Sequence, residues 1–158
     1  MLKSVGLGAA ILLVALAAQA QSNALGAKDY VEIHELFARY AYAMDSNNSV
    51  GLRDVFIEDG VFTIDGVTTW NGREEIESLL AAPTRERPKI THFFTNTLIK
   101  PTADGATASH YVILIDLQKH DAVTGGGYCD HELVRTGDGW RMKTRVCFVE
   151  PGPAETTE

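Results

Sequence analysis

The chain has 158 residues, two cysteines and a formal net charge of −7, from 21 acidic and 14 basic residues. This length fits one domain with a single hydrophobic core. The acidic balance, without a basic patch interleaved with aromatic residues, argues against nucleic acid as a partner.

The N-terminus predicts an export signal. Lys3 precedes an apolar run over residues 5–18, and Ala18-Gln19-Ala20 forms a small-residue cleavage site. We expect a signal peptide over residues 1–20 and a periplasmic or secreted protein. The alternative is an uncleaved anchor, but the run is short for a membrane span. No other stretch is apolar enough to cross a bilayer, so we expect no membrane contact after cleavage.

The mature chain then divides into three parts. Residues 21–27 are small and polar and predict a loose leader, and residues 28–150 carry the regular patterns of one domain. Residues 151–158 are polar and contain proline, which predicts a disordered tail.

Three helices are predicted in the first half of the domain. Residues 29–44 carry apolar side chains at helical spacing, and Asp29 with Glu32 resembles a capping box at the helix start. A short helix follows with Asn48 or Ser49 as its cap. Two strands then flank Asp65-Gly66, and a third helix starts at Asn71.

The second half is strand. Four β-rich segments cover residues 90–99, 106–118, 127–136 and 140–149. Early helices and late antiparallel strands predict an α+β fold in which a curved sheet wraps around the first helix. A gap between them would form a pocket lined by both.

Strand alternation assigns side chains to faces. His92, Phe94 and Asn96 share one face of their strand, and His110 and Asp116 share one face of the next.

On the last strand, alternation puts Met142 on the apolar face and Arg145 on the solvent face, unless a bulge turns Arg145 inward. We expect His131 to be exposed.

The last hairpin leaves the pairing of the cysteines open. If residues 137–139 form a three-residue loop, Cys129 lies opposite Cys147 and a disulfide is possible. A two-residue loop would shift the register and separate them.

The sequence resembles the SnoaL-like branch of the nuclear transport factor 2 superfamily in four segments that occur in family order: ARYAYAMDSNNSVGLRDVFIEDGVF, NGREEI, THFFTNTLI and GYCDHELVRTGDGWRMKTR. The resemblance implies a cone-shaped α+β barrel, with a mostly antiparallel sheet curved around an N-terminal helix. It also implies a closed pocket and, frequently, a homodimer formed through the open sheet face.

The polar pattern is similar to the pockets of bile acid 7α-dehydratase and scytalone dehydratase. The resemblance to the first of these implies pocket roles for Tyr40, Asp45, His92, Asp116 and Arg145. Ketosteroid isomerase is less similar, because its catalytic base would fall on an isoleucine.

These residue types suit proton transfer without a cofactor. His92 would be the general base, with Asp45 and Asp116 orienting its ring and Tyr40 donating to a developing negative charge. We expect a dehydratase or isomerase that acts on a hydrophobic small molecule such as a polyketide, steroid or aromatic compound. The candidate substrate-binding residues are Asn96, Phe94, His110, Tyr128, Met142 and Arg145.

Each role has a structural alternative. His92 and Tyr40 can be hydrogen-bonded core residues, Asp45 can cap a helix end, and Asp116 can be a solvated strand-end carboxylate. The whole domain can be a non-catalytic ligand-binding or dimerisation module, which a pocket filled by Phe94, Met142 and Phe148 would favour.

Metal and cofactor sites are not expected. Cys129, Asp130 and His131 are consecutive and therefore split between two strand faces, and no paired ligand spacing occurs. The sequence has no nucleophile elbow and no phosphate-binding loop.

Overall fold

A computed structural model of the chain describes residues 24–80, 90–119 and 122–151. The predicted signal peptide, residues 21–23 of the leader and the tail after Pro151 lie outside the described residues.

The first helix, α1, spans Ala27–Asp45 and begins two residues before the predicted start. The Asp29 carboxylate accepts a hydrogen bond from the Gly26 backbone N–H at 2.9 Å, so Asp29 caps the helix from within its first turn. The helix ends at Asp45, and Asn47 has a φ of 57°, which turns the chain away from the helix axis.

In the described part of the chain, two short helices and six strands follow, largely where the sequence patterns predict them. The short helices are α2 (Ser49–Asp54), capped by Asn48, and α3 (Gly72–Ser78). The strands are β1 (Phe56–Ile64), β2 (Thr68–Asn71), β3 (Ile90–Pro101), β4 (Gly105–Asp116), β5 (Ala122–Thr136) and β6 (Gly139–Pro151).

The strands form one curved, unclosed sheet in the order β2-β1-β6-β5-β4-β3. The β1–β6 pair is parallel and the other four pairs are antiparallel. Helix α1 lies against β3 and β6 and buries Ile33, Leu36, Phe37 and Tyr40. The predicted α+β class is therefore confirmed. Among the described helices, none is long and apolar enough to cross a membrane.

A bulge in β3 changes the faces that simple alternation predicts. The pairing with β4 shifts by one residue between Thr95 and Leu98, and Asn96 has a φ of 55°. His92 and Phe94 therefore face the concave side, whereas Asn96 is exposed on the outer side.

The hairpin between β5 and β6 has a two-residue turn. Thr136 pairs with Gly139, so only Gly137 and Asp138 form the turn, which is the two-residue alternative of the two that the sequence left open. A second bulge compensates for this shift. Leu133 pairs with Met142 while Glu132 pairs with Thr144, which leaves Lys143 as the extra residue.

This bulge has two consequences. It restores the register that puts Cys129 opposite Cys147, and these two residues form a disulfide. It also reverses the alternation along β6, so Arg145 is 2% exposed on the concave side. The prediction that Arg145 faces solvent, made from strict alternation, is wrong because of the extra residue.

Candidate functional site

An aspartate–histidine pair joins the end of α1 to β3. The Asp45 Oδ1 atom lies 2.6 Å from His92 Nδ1, and both carboxylate oxygens lie 3.2 Å from the His92 backbone nitrogen. Asp45 can reach β3 because α1 ends at this residue. The backbone N–H and the Nδ1–H both donate to the carboxylate, which orients the ring and leaves Nε2 as the nitrogen that can accept a proton.

Tyr40 lies one turn earlier in α1, on its buried face. Its ring is 1% exposed and meets the His92 ring edge-on, with centroids 6.4 Å apart. Phe56 and Phe62 approach the Tyr40 ring from β1 at 6.4 and 6.1 Å. This packing fixes the phenol beside the imidazole.

The guanidinium of Arg145 lies over the ring of Tyr40. Its guanidinium carbon is 4.1 Å from the centroid of the Tyr40 ring and 5.3 Å from that of Phe94. Its Nη1 atom is 3.2 Å from His131 Nε2 and 3.4 Å from His110 Nε2. The guanidinium is therefore held between aromatic faces and two imidazoles.

These groups surround a cavity of about 290 Å³ between α1 and the concave face of the sheet. Tyr40, His92 and Arg145 provide its polar lining, and the Cys129–Cys147 disulfide forms part of its surface. The other lining residues are apolar: Met44, Phe62, Ile64, Val67, Leu79, Val112, Leu114 and Val149. An apolar cavity with a few convergent polar groups is the usual form of a small-molecule site.

Burial sets the protonation states of the site. Burial lowers the pKa of His92, the hydrogen bond and charge of Asp45 oppose this, and the charge of Arg145 lowers it further. Burial raises the pKa of Tyr40, which the neighbouring Arg145 partly offsets. At neutral pH the imidazole is therefore neutral and the phenol is protonated, so one can accept and the other can donate a proton.

The structure brings together three of the four residues predicted to be catalytic. Tyr40, Asp45 and His92 meet, but Asp116 lies elsewhere. Its carboxylate is buried at the end of β4, accepts a hydrogen bond from the Gln118 backbone N–H at 2.9 Å and is outside the cavity lining. The prediction that Asp116 orients the base is not supported by its position.

The candidate substrate-binding residues divide into four groups. Arg145 lines the cavity, while Phe94 and His110 stack on each other at 4.3 Å behind it. Met142 is 0% exposed and belongs to the core.

The remaining two candidates, Asn96 and Tyr128, lie on the outer face of the sheet. The prediction that they face the pocket is wrong, because the β3 bulge turns Asn96 outward and Tyr128 alternates with the inward-facing Cys129.

The burial of one polar residue, His131, was not predicted from the sequence. His131 is 3% exposed, so the prediction that it is a surface residue is wrong. Its ring packs against Phe37 with centroids 4.8 Å apart. The sequence does contain a signal for its burial, because His131 lies on the same strand face as Cys129 and Leu133, which are both apolar.

Known proteins share both the sequence and the fold. The uncharacterised protein Rv2910c of Mycobacterium tuberculosis is 30% identical over 129 residues, covering 76% of this chain and 86% of the relative. A crystal structure of an NTF2-like protein with a cystatin-like fold from Novosphingobium aromaticivorans is 27% identical, with a TM-score of 0.72, and the alignment covers 90% and 92% of the two chains.

A third similar protein was solved with a small molecule. It comes from Catenulispora acidiphila, is described in complex with S-DNPA and is 27% identical, with a TM-score of 0.68 over 80% of this chain and 95% of that one. The sequence profile of the SnoaL-like domain matches residues 26–146, which include every residue of the cavity except Cys147 and Val149. The chain therefore belongs to the SnoaL-like domain family.

Proposed function

We propose that this protein is an enzyme that converts a hydrophobic small molecule without a cofactor, as a dehydratase or an isomerase, with His92 as general base. The observation that carries the proposal is the Asp45–His92 pair at a cavity that Tyr40 and Arg145 also line.

The proton-accepting step follows from the orientation of His92. Asp45 accepts from Nδ1, so the Nε2 lone pair takes a proton from a carbon next to a carbonyl or a similar activating group. The carboxylate stabilises the imidazolium that forms. A base of this kind contributes about 10²–10⁴-fold to the rate.

Tyr40 completes the chemistry as a hydrogen-bond donor. In an isomerisation it stabilises the enolate oxygen, and His92 returns the proton at another carbon. In a dehydration the C–H electron pair forms the new double bond and the C–O bond breaks while Tyr40 hydrogen-bonds to the leaving oxygen. That oxygen takes back the proton from His92 Nε2 and leaves as water. Neither reaction needs an oxidant or a second substrate.

Two observations favour a small-molecule site over a purely structural domain. Phe94, Met142 and Phe148 would fill the cavity in a pure scaffold, yet none of them lines it. A relative of this fold, described in complex with S-DNPA, also supports the use of the fold for small molecules.

The test is a screen of hydroxy-carbonyl and enolisable aromatic or polycyclic compounds with the mature protein in D₂O, read by mass spectrometry. We expect products that have lost one water, or that have gained deuterium next to a carbonyl. His92→Gln should lower the rate by about 10²–10⁴-fold, and Tyr40→Phe by about 10²-fold. His34→Gln, at an exposed position of α1, is the matched control and should keep full activity.

The pH dependence gives an independent check. Since the pKa of His92 lies below its ordinary value, activity should be constant near neutral pH and fall only in acid. A wild-type protein that neither converts nor exchanges any compound, with the variants equally stable, would leave only the binding function.

We also propose that the protein is exported and that the mature chain begins at Gln21. The Cys129–Cys147 disulfide supports this proposal, because disulfides persist mainly in oxidising compartments. The intact mass of the chain recovered from periplasm or medium should lack residues 1–20. A full-length chain confined to the cytoplasm would contradict it.

A further inference from the structure

Arg145 is a buried positive charge at the surface of the cavity. The side chain is 2% exposed, and its guanidinium lies over the Tyr40 ring. Arginine stays protonated at ordinary pH even where burial lowers its pKa, as it does here. The cavity therefore contains a full cationic charge that is removed from solvent.

No carboxylate in the described part of the chain forms an ion pair with Arg145. The carboxylate that belongs to the site, Asp45, directs its oxygens to the backbone and ring of His92. Buried charges in proteins are normally paired, because an unpaired one is costly to desolvate. Arg145 is thus a cation without a counter-charge from these residues.

The two imidazoles beside Arg145 hold it without cancelling its charge. His110 Nε2 and His131 Nε2 both face the same Nη1 atom, so each accepts there and carries its own proton on Nδ1. Both rings are neutral, since burial and the charge of Arg145 lower the pKa of His110 to about 3 and that of His131 well below its ordinary value. They are positioning residues for the guanidinium.

This cluster has more buried donors than acceptors. Arg145 Nε, His110 Nδ1 and His131 Nδ1 are all buried and have no hydrogen-bond partner within the described residues. Buried polar atoms are rarely left unpaired. An anionic acceptor bound in the cavity would supply a partner for the guanidinium of Arg145, the member of this cluster that lines the cavity.

The rest of the cavity lining limits the kind of ligand that can carry an anionic group to Arg145. Apart from Tyr40, His92 and Arg145, the described residues of the cavity lining provide hydrocarbon and sulfur, and the cavity volume of about 290 Å³ is at the lower end for ligand sites. A strongly polar ligand would find few partners there. A small apolar skeleton with one negative group fits both the lining and the charge.

We infer that the ligand of this cavity is an apolar carboxylic acid, whose carboxylate binds Arg145 and whose hydrocarbon or aromatic skeleton packs against the apolar lining. This assigns the substrate class of the proposed enzyme and rests on that function for its chemistry, although the binding preference can be measured separately.

The experiment compares matched acids and amides by isothermal titration calorimetry on the mature protein at neutral pH. The pairs are benzoate and benzamide, cinnamate and cinnamamide, and 2-naphthoate and 2-naphthamide, which differ in charge but hardly in shape. We expect the acid of at least one pair to bind about tenfold or more tightly than its amide. Arg145→Met should abolish this difference, and Arg39→Met, at an exposed arginine of α1, should preserve it.

Further variants separate charge from folding and from catalysis. Arg145→Lys keeps the charge and should retain a weakened preference for the acid, which a merely misfolded variant would not. His92→Gln should lose turnover and keep the preference. An inactive wild type that prefers acids would contradict the proposed function alone. Equal binding of acids and amides, no binding of any acid at millimolar concentration, or an unchanged preference in Arg145→Met would overturn the inference.

Discussion

Among the described residues, three histidines lie on the concave face of the sheet, and their partners give them different roles. Burial lowers the pKa of His92, His110 and His131 alike. Only His92 has a carboxylate, Asp45, whose hydrogen bond and charge oppose that effect. The other two face the cation of Arg145, which disfavours their protonation further. His92 is therefore the member of the set suited to accept a proton during a reaction.

The other two histidines should make the fold sensitive to acid. In the unfolded chain each histidine binds a proton below about pH 6.5. In the folded protein His110 stays neutral down to about pH 3, and the pKa of His131 is also well below its ordinary value. The unfolded state thus holds more protons in this window, and stability falls as pH falls. Between pH 6.5 and 5 the loss from His110 should be about 2 kcal/mol, and His131 should add to it in the same direction.

Urea unfolding followed at several pH values measures this loss. His110→Gln and His131→Gln should each reduce the dependence of the unfolding free energy on pH, whatever they do to stability at pH 7. Tyr42→Phe, at an exposed position of α1 with no group that titrates in this range, is the control and should leave the dependence unchanged. An acid dependence identical in all four proteins would show that the buried imidazoles are not its source.

At the level of elements, one extra residue in β6 controls two features of the site. Lys143 is bulged between the residues that pair with Leu133 and Glu132. Beyond it, Arg145 and Cys147 face the cavity, and without it the alternation would turn both outward. The bulge therefore decides both the charge and the covalent link at the concave face.

The disulfide ties β5 to β6 and should contribute strongly to stability. Cys129 and Cys147 are 18 residues apart, and closing a loop of that length in the unfolded chain is worth about 3 kcal/mol. The Cys129→Ala, Cys147→Ala double variant should lose about that amount in urea unfolding at pH 7. Adding a reductant should shift the wild-type midpoint towards that of the variant and leave the variant unchanged. Equal midpoints under all these conditions would contradict a stabilising role.

The bulges mark the limit of what the sequence could predict. Helical spacing predicted the burial of Tyr40, and alternation along β4 predicted the inward face of His110, because an unbroken helix or strand has a fixed period. Alternation failed from Asn96 onwards in β3 and beyond Lys143 in β6, since one inserted residue reverses every later assignment. The pairing of Asp45 with His92 depended on where α1 ends, which periodicity defines only to within a few residues.

At the level of the whole molecule, the two faces of the sheet differ in what covers them. Helix α1 covers the concave face, while the outer face of β3, β4 and β5 has no covering element among the described residues. Several large apolar side chains are exposed there: Phe93, Leu98, Tyr111, Ile113 and Tyr128. Phe93 pairs with Ile113 and Tyr111 pairs with Tyr128, while Leu98 lines the same outer groove as Tyr111 and Tyr128, so these side chains form one patch. A contiguous apolar patch of this kind is typical of a protein–protein interface.

We propose that two copies of the chain pair through this outer face. Leu98 is 64% exposed and Tyr111 is 54% exposed, and both would be buried in such a dimer. Light scattering coupled to gel filtration should give about twice the mass of one chain for the wild type. Leu98→Lys or Tyr111→Glu should give the mass of one chain, because a charge buried in an apolar interface lacks a partner. Val31→Lys, at a 57% exposed position of α1, should remain dimeric. A wild type that is monomeric at high concentration, or a dimer unaffected by both substitutions, would exclude this face as the interface.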